Sequence, residues 1–278
     1  MLWGGQRQLV GECSRPNPVV AFQPNAEPPN QIVQCNLPIL GLVQKPVLVV
    51  PDHMLEQVTR EWLQLYPQAK LLAASSDDLP RERRRAFVAR AATNDWDAIV
   101  FTRGAFLALP VTNQTMATYM DSELTLIREQ VQASRERAGS NADERSIKKL
   151  EKEVMRREET MKGLLDKPSD PGLSFEATGI DYLIIDELHD FKNLNVVSNI
   201  PGAAITGSKR ATDLYMKVEY LRGRHGERVM TGATATPIAN SITEMYVMQR
   251  YLDPEGMSSA RPLFRRILGL ASRRGRAP

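Results

Sequence analysis

The chain has 278 residues, enough for one large α/β domain or two small ones. Hydrophobic residues make up 42% and charged residues 25%, and no apolar run is long enough to cross a bilayer, so no membrane partner is expected. The net charge of +3 is unevenly held: Met257 to Pro278 carries six arginines and no acid, so the rest of the chain sums to −3 and is no uniformly basic nucleic-acid coat. The start, Met1-Leu2-Trp3-Gly4-Gly5-Gln6-Arg7, lacks the basic-then-apolar form of a secretion signal. Cys13 and Cys35 have no metal-ligand spacing, and a reduced, cytoplasmic protein is expected.

Residues 1–41 read as an irregular, disordered lead, because Pro16, Pro18, Pro24, Pro28, Pro29 and Pro38 break most helix or strand runs. From Pro46 the pattern sharpens. Pro46-Val47-Leu48-Val49-Val50-Pro51 reads as a buried strand closed by proline. Asp52 is placed to cap the next helix, whose apolar face is Leu55, Val58, Trp62 and Leu65. Lys70 to Ala74 reads as a second strand, and Pro80 suits the first turn of the helix after it. That helix carries Arg81, Arg83, Arg84 and Arg85, a solvated charged face or a DNA contact. Asp97 to Thr102 reads as a third strand. Strand–helix–strand–helix–strand is the pattern of a doubly wound, mainly parallel α/β domain.

Residues 116–166 break that alternation. Leu124, Ile127 and Val131 are spaced three and four apart, Gly139-Ser140-Asn141 interrupts, and Ile147, Leu150, Val154 and Met161 resume a heptad-like spacing. A helical hairpin inserted into the sheet domain is expected, its apolar stripe serving packing. Pro168, Pro171 and Gly172 end it. Next comes Asp181-Tyr182-Leu183-Ile184-Ile185-Asp186-Glu187-Leu188-His189-Asp190-Phe191-Lys192-Asn193. Its apolar half reads as a buried strand, and in open α/β sheets chemistry sits just beyond the carboxyl ends of the strands, where Asp186 and Glu187 fall. Neighbouring residues on a strand point to opposite faces, so the two acids suit two jobs: one holds a metal through water, the other takes a proton from an attacking water.

Residues 200–209 imitate a phosphate-binding loop, but the order Gly207-Ser208-Lys209 is wrong for one, which needs lysine directly after glycine and a hydroxyl next. Ser208 reads instead as the cap of a helix bearing Leu214, Val218 and Leu221. Glu227 to Gly232 reads as another strand, running into Ala233-Thr234-Ala235-Thr236-Pro237-Ile238-Ala239-Asn240-Ser241 and a helix with Met245 and Met248. The arginines of residues 257–278 alternate with Leu263, Phe264, Ile267 and Leu268, as in a basic amphipathic helix or a flexible tail.

These motifs carry a resemblance. Asp186-Glu187-Leu188-His189 after four apolar residues resembles motif II of superfamily 2 helicases and translocases (DEAD/DEAH-type sequences), and the following Lys192-Asn193 looks like the Swi/Snf-like branch. Thr234-Ala235-Thr236-Pro237-Ile238 with Asn240-Ser241 and Glu244 resembles motif III of those ATPases. Val49-Val50-Pro51-Asp52-His53-Met54-Leu55 with Gln57 and Trp62 resembles motif Ia, and Phe101-Thr102-Arg103-Gly104-Ala105-Phe106 resembles the segment with which that family grips a DNA backbone. The resemblance covers about Leu42 to Glu255 and looks most like the helicase-like half of phage or mobile-element proteins that also carry an adenine-specific DNA methyltransferase.

It implies a single RecA-like lobe over residues 42–256, followed by an Arg-rich tail. It implies ATP and Mg²⁺ as cofactors, double-stranded DNA as partner, and a second ATPase lobe or a methyltransferase region as further partners. By the same resemblance Asp186 binds Mg²⁺ through water, Glu187 activates the attacking water, His189, Thr234 and Thr236 couple hydrolysis to movement, and His53, Thr102 and Arg103 touch DNA. The chain departs from the pattern in two respects: no Gly-Lys-Ser/Thr triplet occurs anywhere in it, and the second ATPase lobe that the family uses to sandwich the nucleotide is not expected in it. With the pattern fading at about Gly41 and after Gly256, a shortened reading of a longer gene is expected, with little or no ATP hydrolysis of its own. A non-enzymatic DNA- or protein-binding module with vestigial acids, or an unstable fragment, remain open alternatives.

Overall fold

The computed structural model describes residues 19–21, 43–137, 171–196, 207–236 and 242–254, with 147–148, 151–152, 154–156, 158–159, 205 and 256. Six strands form one parallel sheet: β1 (Val19–Ala21), β2 (Pro46–Val50), β3 (Leu71–Ala74), β4 (Ala98–Thr102), β5 (Tyr182–Ile185) and β6 (Met230–Thr234). The spatial order is β1-β6-β5-β2-β4-β3. β2, β4 and β5 are buried along their whole length, which is why their sequences are continuous apolar runs.

Alternation along these strands feeds two cores. Val47, Val49, Ile99, Phe101, Leu183 and Ile185 face one way, under the helices α2 (Arg81–Thr93), α3 (Arg103–Ala108), α5 (Lys209–His225) and α6 (Ile242–Leu252). Leu48, Val50, Ala98, Val100, Tyr182 and Ile184 face the other way, under Val58 and Trp62 of α1 (Leu55–Leu65). Helices on both faces of a parallel sheet make this the doubly wound lobe that the strand–helix alternation predicts, and the RecA-like one that the resemblance implies.

Several local expectations are corrected. Val19–Ala21, inside the segment read as an irregular lead, pairs with β6 in register, Ala21 beside Thr234. Three β-branched or small residues between prolines are too short for periodicity to reveal, yet they suffice to cover an otherwise open strand edge. Asp52 makes no side-chain cap; it lies inside a 3₁₀ turn, Asp52–Met54, that leads into α1. Leu65, at the end of α1, is exposed rather than part of the buried face. The last strand is Met230–Thr234, not Glu227 to Gly232: the left-handed Gly226 ends α5, Glu227 turns back to Arg222, and Val229 O accepts from Leu183 N before the strand proper begins.

The insertion is a helical hairpin. Its first arm, α4 (Asn113–Arg137), begins three residues before position 116, and the described residues between 147 and 159 are helical. Arg128 pairs with Glu158 and Arg135 with Glu151, so the partner number falls as the helix number rises, the register of antiparallel arms. Ile127, Val131 and Ile147 close a small core between them, with Val154 against it, as the stripe predicts. Gly139-Ser140-Asn141, Leu150, Met161 and Pro168 lie outside the described residues, as do 257–278. The hairpin's root is welded to the lobe. Glu176 Oε1 accepts from the Thr112 amide at 2.8 Å and from the Thr115 hydroxyl at 2.6 Å. Arg250 of α6 reaches Glu123 of α4 at 3.0 Å. None of the described helices is long and apolar enough to cross a membrane.

Candidate active site

β5 delivers the acid pair to the carboxyl edge of the sheet. Asp186 still belongs to the ladder: its amide donates to Val49 O at 2.9 Å and its side chain is buried. Glu187 leaves it. With φ 53° it is the one non-glycine residue at positive φ among the described residues, a costly conformation that persists where surrounding contacts impose it. A backbone reversal, and not the pleat of a strand, therefore separates the two carboxylates, which corrects the opposite-face expectation. The cause is the turn that follows, a 3₁₀ segment at Leu188–Phe191 with both apolar ends buried. Leu188 drops onto β6 at Gly232, where a Cβ would lie 2.4 Å from Leu188 Cδ2. A side chain there would have to push the buried Leu188 aside.

The polar residues of the turn remain on top and form a chain of contacts. The Glu187 amide donates to Asp186 Oδ1 at 2.9 Å, and the Asp190 amide donates to Glu187 O at 2.9 Å. His189 Nδ1 lies 3.1 Å from Thr234 Oγ1, joining the β5 turn to the end of β6. The same nitrogen is 2.9 Å from Glu187 Oε2, a contact without hydrogen-bond geometry, and that oxygen is buried with no hydrogen-bond partner. Thr234 Oγ1 also accepts from the Thr236 amide at 3.2 Å. The structure thus brings together Asp186, Glu187, His189, Thr234 and Thr236.

The other three named residues behave differently. Thr102 is buried, and its hydroxyl caps α3 by accepting from the Ala105 amide at 3.2 Å, so its side chain is committed to the fold. His53 is exposed in the turn after β2. Arg103 is partly exposed and pairs with Asp190, which ties the end of β4 to the acid turn.

Sequence reasoning assigned no role to Asp190, Gly232 or the pair Lys192–Glu244, which meets at 3.1 Å and clamps the acid turn to the start of α6. Tyr251, the penultimate residue of α6, donates its hydroxyl toward Phe191 O and Ala211 O at 3.0 and 2.9 Å. Lys192 and Glu244 stood in the sequence as parts of two motifs, but motif order cannot show that they meet.

The donor set suits a hydrated Mg²⁺. Among the described residues no three His, Cys, Asp or Glu side chains converge into a metal cage. Mg²⁺ keeps most of its waters and is held by one or two carboxylates together with phosphates, and Asp186, buried at the end of its strand, is the carboxylate that would hold it through water. The phosphate half of such a site has no Gly-Lys-Ser/Thr triplet to supply it.

A parallel sheet wound on both faces, with two acids at the end of a central strand and a threonine-histidine link to the next strand end, defines a RecA-like helicase-type lobe. A family model described as "Probable helicase domain" matches residues 32–262, most of the chain. The chain belongs to that family. It is also similar to the Defense against restriction protein B of Escherichia phage P1, 24% identical over 233 residues that cover 79% of this chain. The chain spans 9% of the length of that phage protein.

Proposed function

We propose that this domain is the first ATPase lobe of a double-stranded-DNA translocase of the Swi/Snf-like branch. The observation that carries the reading is the His189–Thr234 contact beside the orphaned Glu187 oxygen: the two strand ends that would sense a nucleotide are already joined through the catalytic turn. When bound, ATP with Mg²⁺ supplies the phosphoanhydride that is cleaved. Asp186, rigid in the sheet ladder, holds a water of the metal. Glu187, turned out of the strand, orients the attacking water and takes its proton. His189 and Thr234 report a change at Glu187 to β6 and α6. His53 and Arg103 face duplex DNA from the ends of β2 and β4. The phosphate contacts and the second lobe come from outside the described residues, and an adenine-specific DNA methyltransferase region is a further candidate partner.

The absence of a Gly-Lys-Ser/Thr triplet favours a second reading, a non-hydrolysing module that binds DNA or protein and keeps the acids as inherited features. Steady-state ATP hydrolysis with and without double-stranded DNA, measured on a protein that supplies the second lobe and the phosphate contacts, beside its Glu187→Gln variant, separates the two. DNA-stimulated turnover that Glu187→Gln abolishes supports the ATPase lobe. Turnover no higher than that of the variant, with DNA binding retained, supports the module.

A further inference from the structure

We propose that Arg103 and Asp190 form a latch, and that a phosphate of duplex DNA opens it by taking Arg103 away from the acid turn. The inference rests on the DNA-facing reading given above and adds the regulation of that site. Arg103 opens α3 at the end of β4, and Asp190 lies in the turn after Glu187. Their side chains are 26% and 24% exposed, so the pair sits where a large polyanion can reach it. A guanidinium offers the same planar fork to a carboxylate and to a phosphate, so the two anions compete for one donor set. An ion pair this open to water is weak enough to exchange.

Asp190 is not an isolated acid. Its second oxygen, Oδ1, is 4.0 Å from His189 Nε2, and the opposite nitrogen of that ring contacts Glu187 Oε2 and Thr234 Oγ1. While Arg103 holds Asp190, the carboxylate is drawn toward β4. Once a phosphate takes Arg103, His189 Nε2 is left within reach of Asp190. The ring is then fixed from its far side, and Nδ1 is aimed at Glu187 and Thr234. Arg103 and Asp190 are thus positioning residues that join DNA occupancy to the geometry of the acid pair through four consecutive contacts.

The latch makes an unusual prediction about affinity: removing an acid of the catalytic turn tightens DNA binding by more than its charge explains. The measurement is fluorescence anisotropy of a labelled 20-base-pair duplex titrated with the full chain at fixed salt. Asp190→Asn is expected to bind about two- to fivefold more tightly, the scale of one exposed ion pair. Asp52→Asn, an exposed acid at the same sheet edge, controls for generic charge. In an Arg103→Ala background the Asp190→Asn gain should vanish, and Arg103→Lys, which keeps the charge but loses the fork, should retain part of it. Amide exchange over residues 186–192 gives a second readout: DNA should change it in the wild type and leave it unchanged in Asp190→Asn. Equal gains for Asp190→Asn and Asp52→Asn, or a gain that persists without Arg103, overturn the latch while leaving DNA binding standing. Failure of both the wild type and Asp190→Asn to bind duplex DNA overturns the DNA-facing reading and the latch together.

Discussion

Two clusters of charge lie within this lobe, one under the helices and one at the sheet edge. Under α3 and α5, Lys217 is fully buried. Its ammonium donates to Asp213 and to Phe106 O, each at 2.7 Å, and sits 4.0 Å above the Phe106 ring. Burial pushes the Asp213 carboxyl up and the Lys217 ammonium down, each partly offset by the other's charge. At the sheet edge, the Arg103–Asp190 pair uses the same chemistry with about a quarter of each side chain in water. The first cluster is locked because breaking it strands a charge in a dry interior. The second can exchange partners because water and phosphate can replace what is lost. A fold can thus use ion pairs as pins or as contacts that move, and burial decides which.

Variants ordered by expected effect test that contrast. Lys217→Ala leaves Asp213 buried without its partner and should cost about 3–5 kcal/mol in urea unfolding. Replacing both partners, Lys217→Met with Asp213→Leu, should recover most of it; no recovery would mean that the buried pair specifies the packing and is more than a tolerated charge. Gly232→Ala drives a methyl into Leu188 and should cost roughly 1–3 kcal/mol, with the acid turn displaced. Increased amide exchange at residues 187–191 would confirm that the loss is local to the turn. Tyr251→Phe removes the hydroxyl shared by Phe191 O and Ala211 O and should cost about 1–2 kcal/mol by thermal melting. Arg103→Ala should change stability by less than about 0.5 kcal/mol. A loss as large as that of Lys217→Ala would erase the distinction between pins and movable contacts. Arg128→Ala, which removes an exposed cross-arm pair of the hairpin, should fall in the same small range and gives the baseline.

Much of the fold was legible because its central strands are buried on both faces. That requirement writes continuous apolar runs into residues 46–50, 98–102 and 182–185, and the helices between them show their buried sides at helical spacing. Ser208 was identifiable as a cap because a hydroxyl before a helix has a local job, and the structure shows it accepting from the Ala211 amide at 3.2 Å. β1 was missed because three residues carry no period, and its strand character comes only from the β6 edge beside it. Asp52 was misread because a cap residue and the first residue of a 3₁₀ turn look alike in sequence.

The candidate site divides the same way. Asp186 and Glu187 were visible because acids at the end of an apolar strand are local geometry, whereas His189 and Thr234 were named through the motif resemblance alone. Arg103, Asp190, Lys192 and Glu244 acquire their roles from partners 52 to 87 residues away in sequence, which no local pattern encodes. By itself the sequence determined a parallel α/β lobe, the insertion and the place of the acid pair, since hydrophobic periodicity and strand-end chemistry act over a few residues. Only the tertiary structure decided that Glu187 reverses out of its strand over Gly232, that β1 closes the edge beside Thr234, and which cations hold the turn. Those outcomes depend on which elements pack against one another, and packing is a property of the assembled sheet.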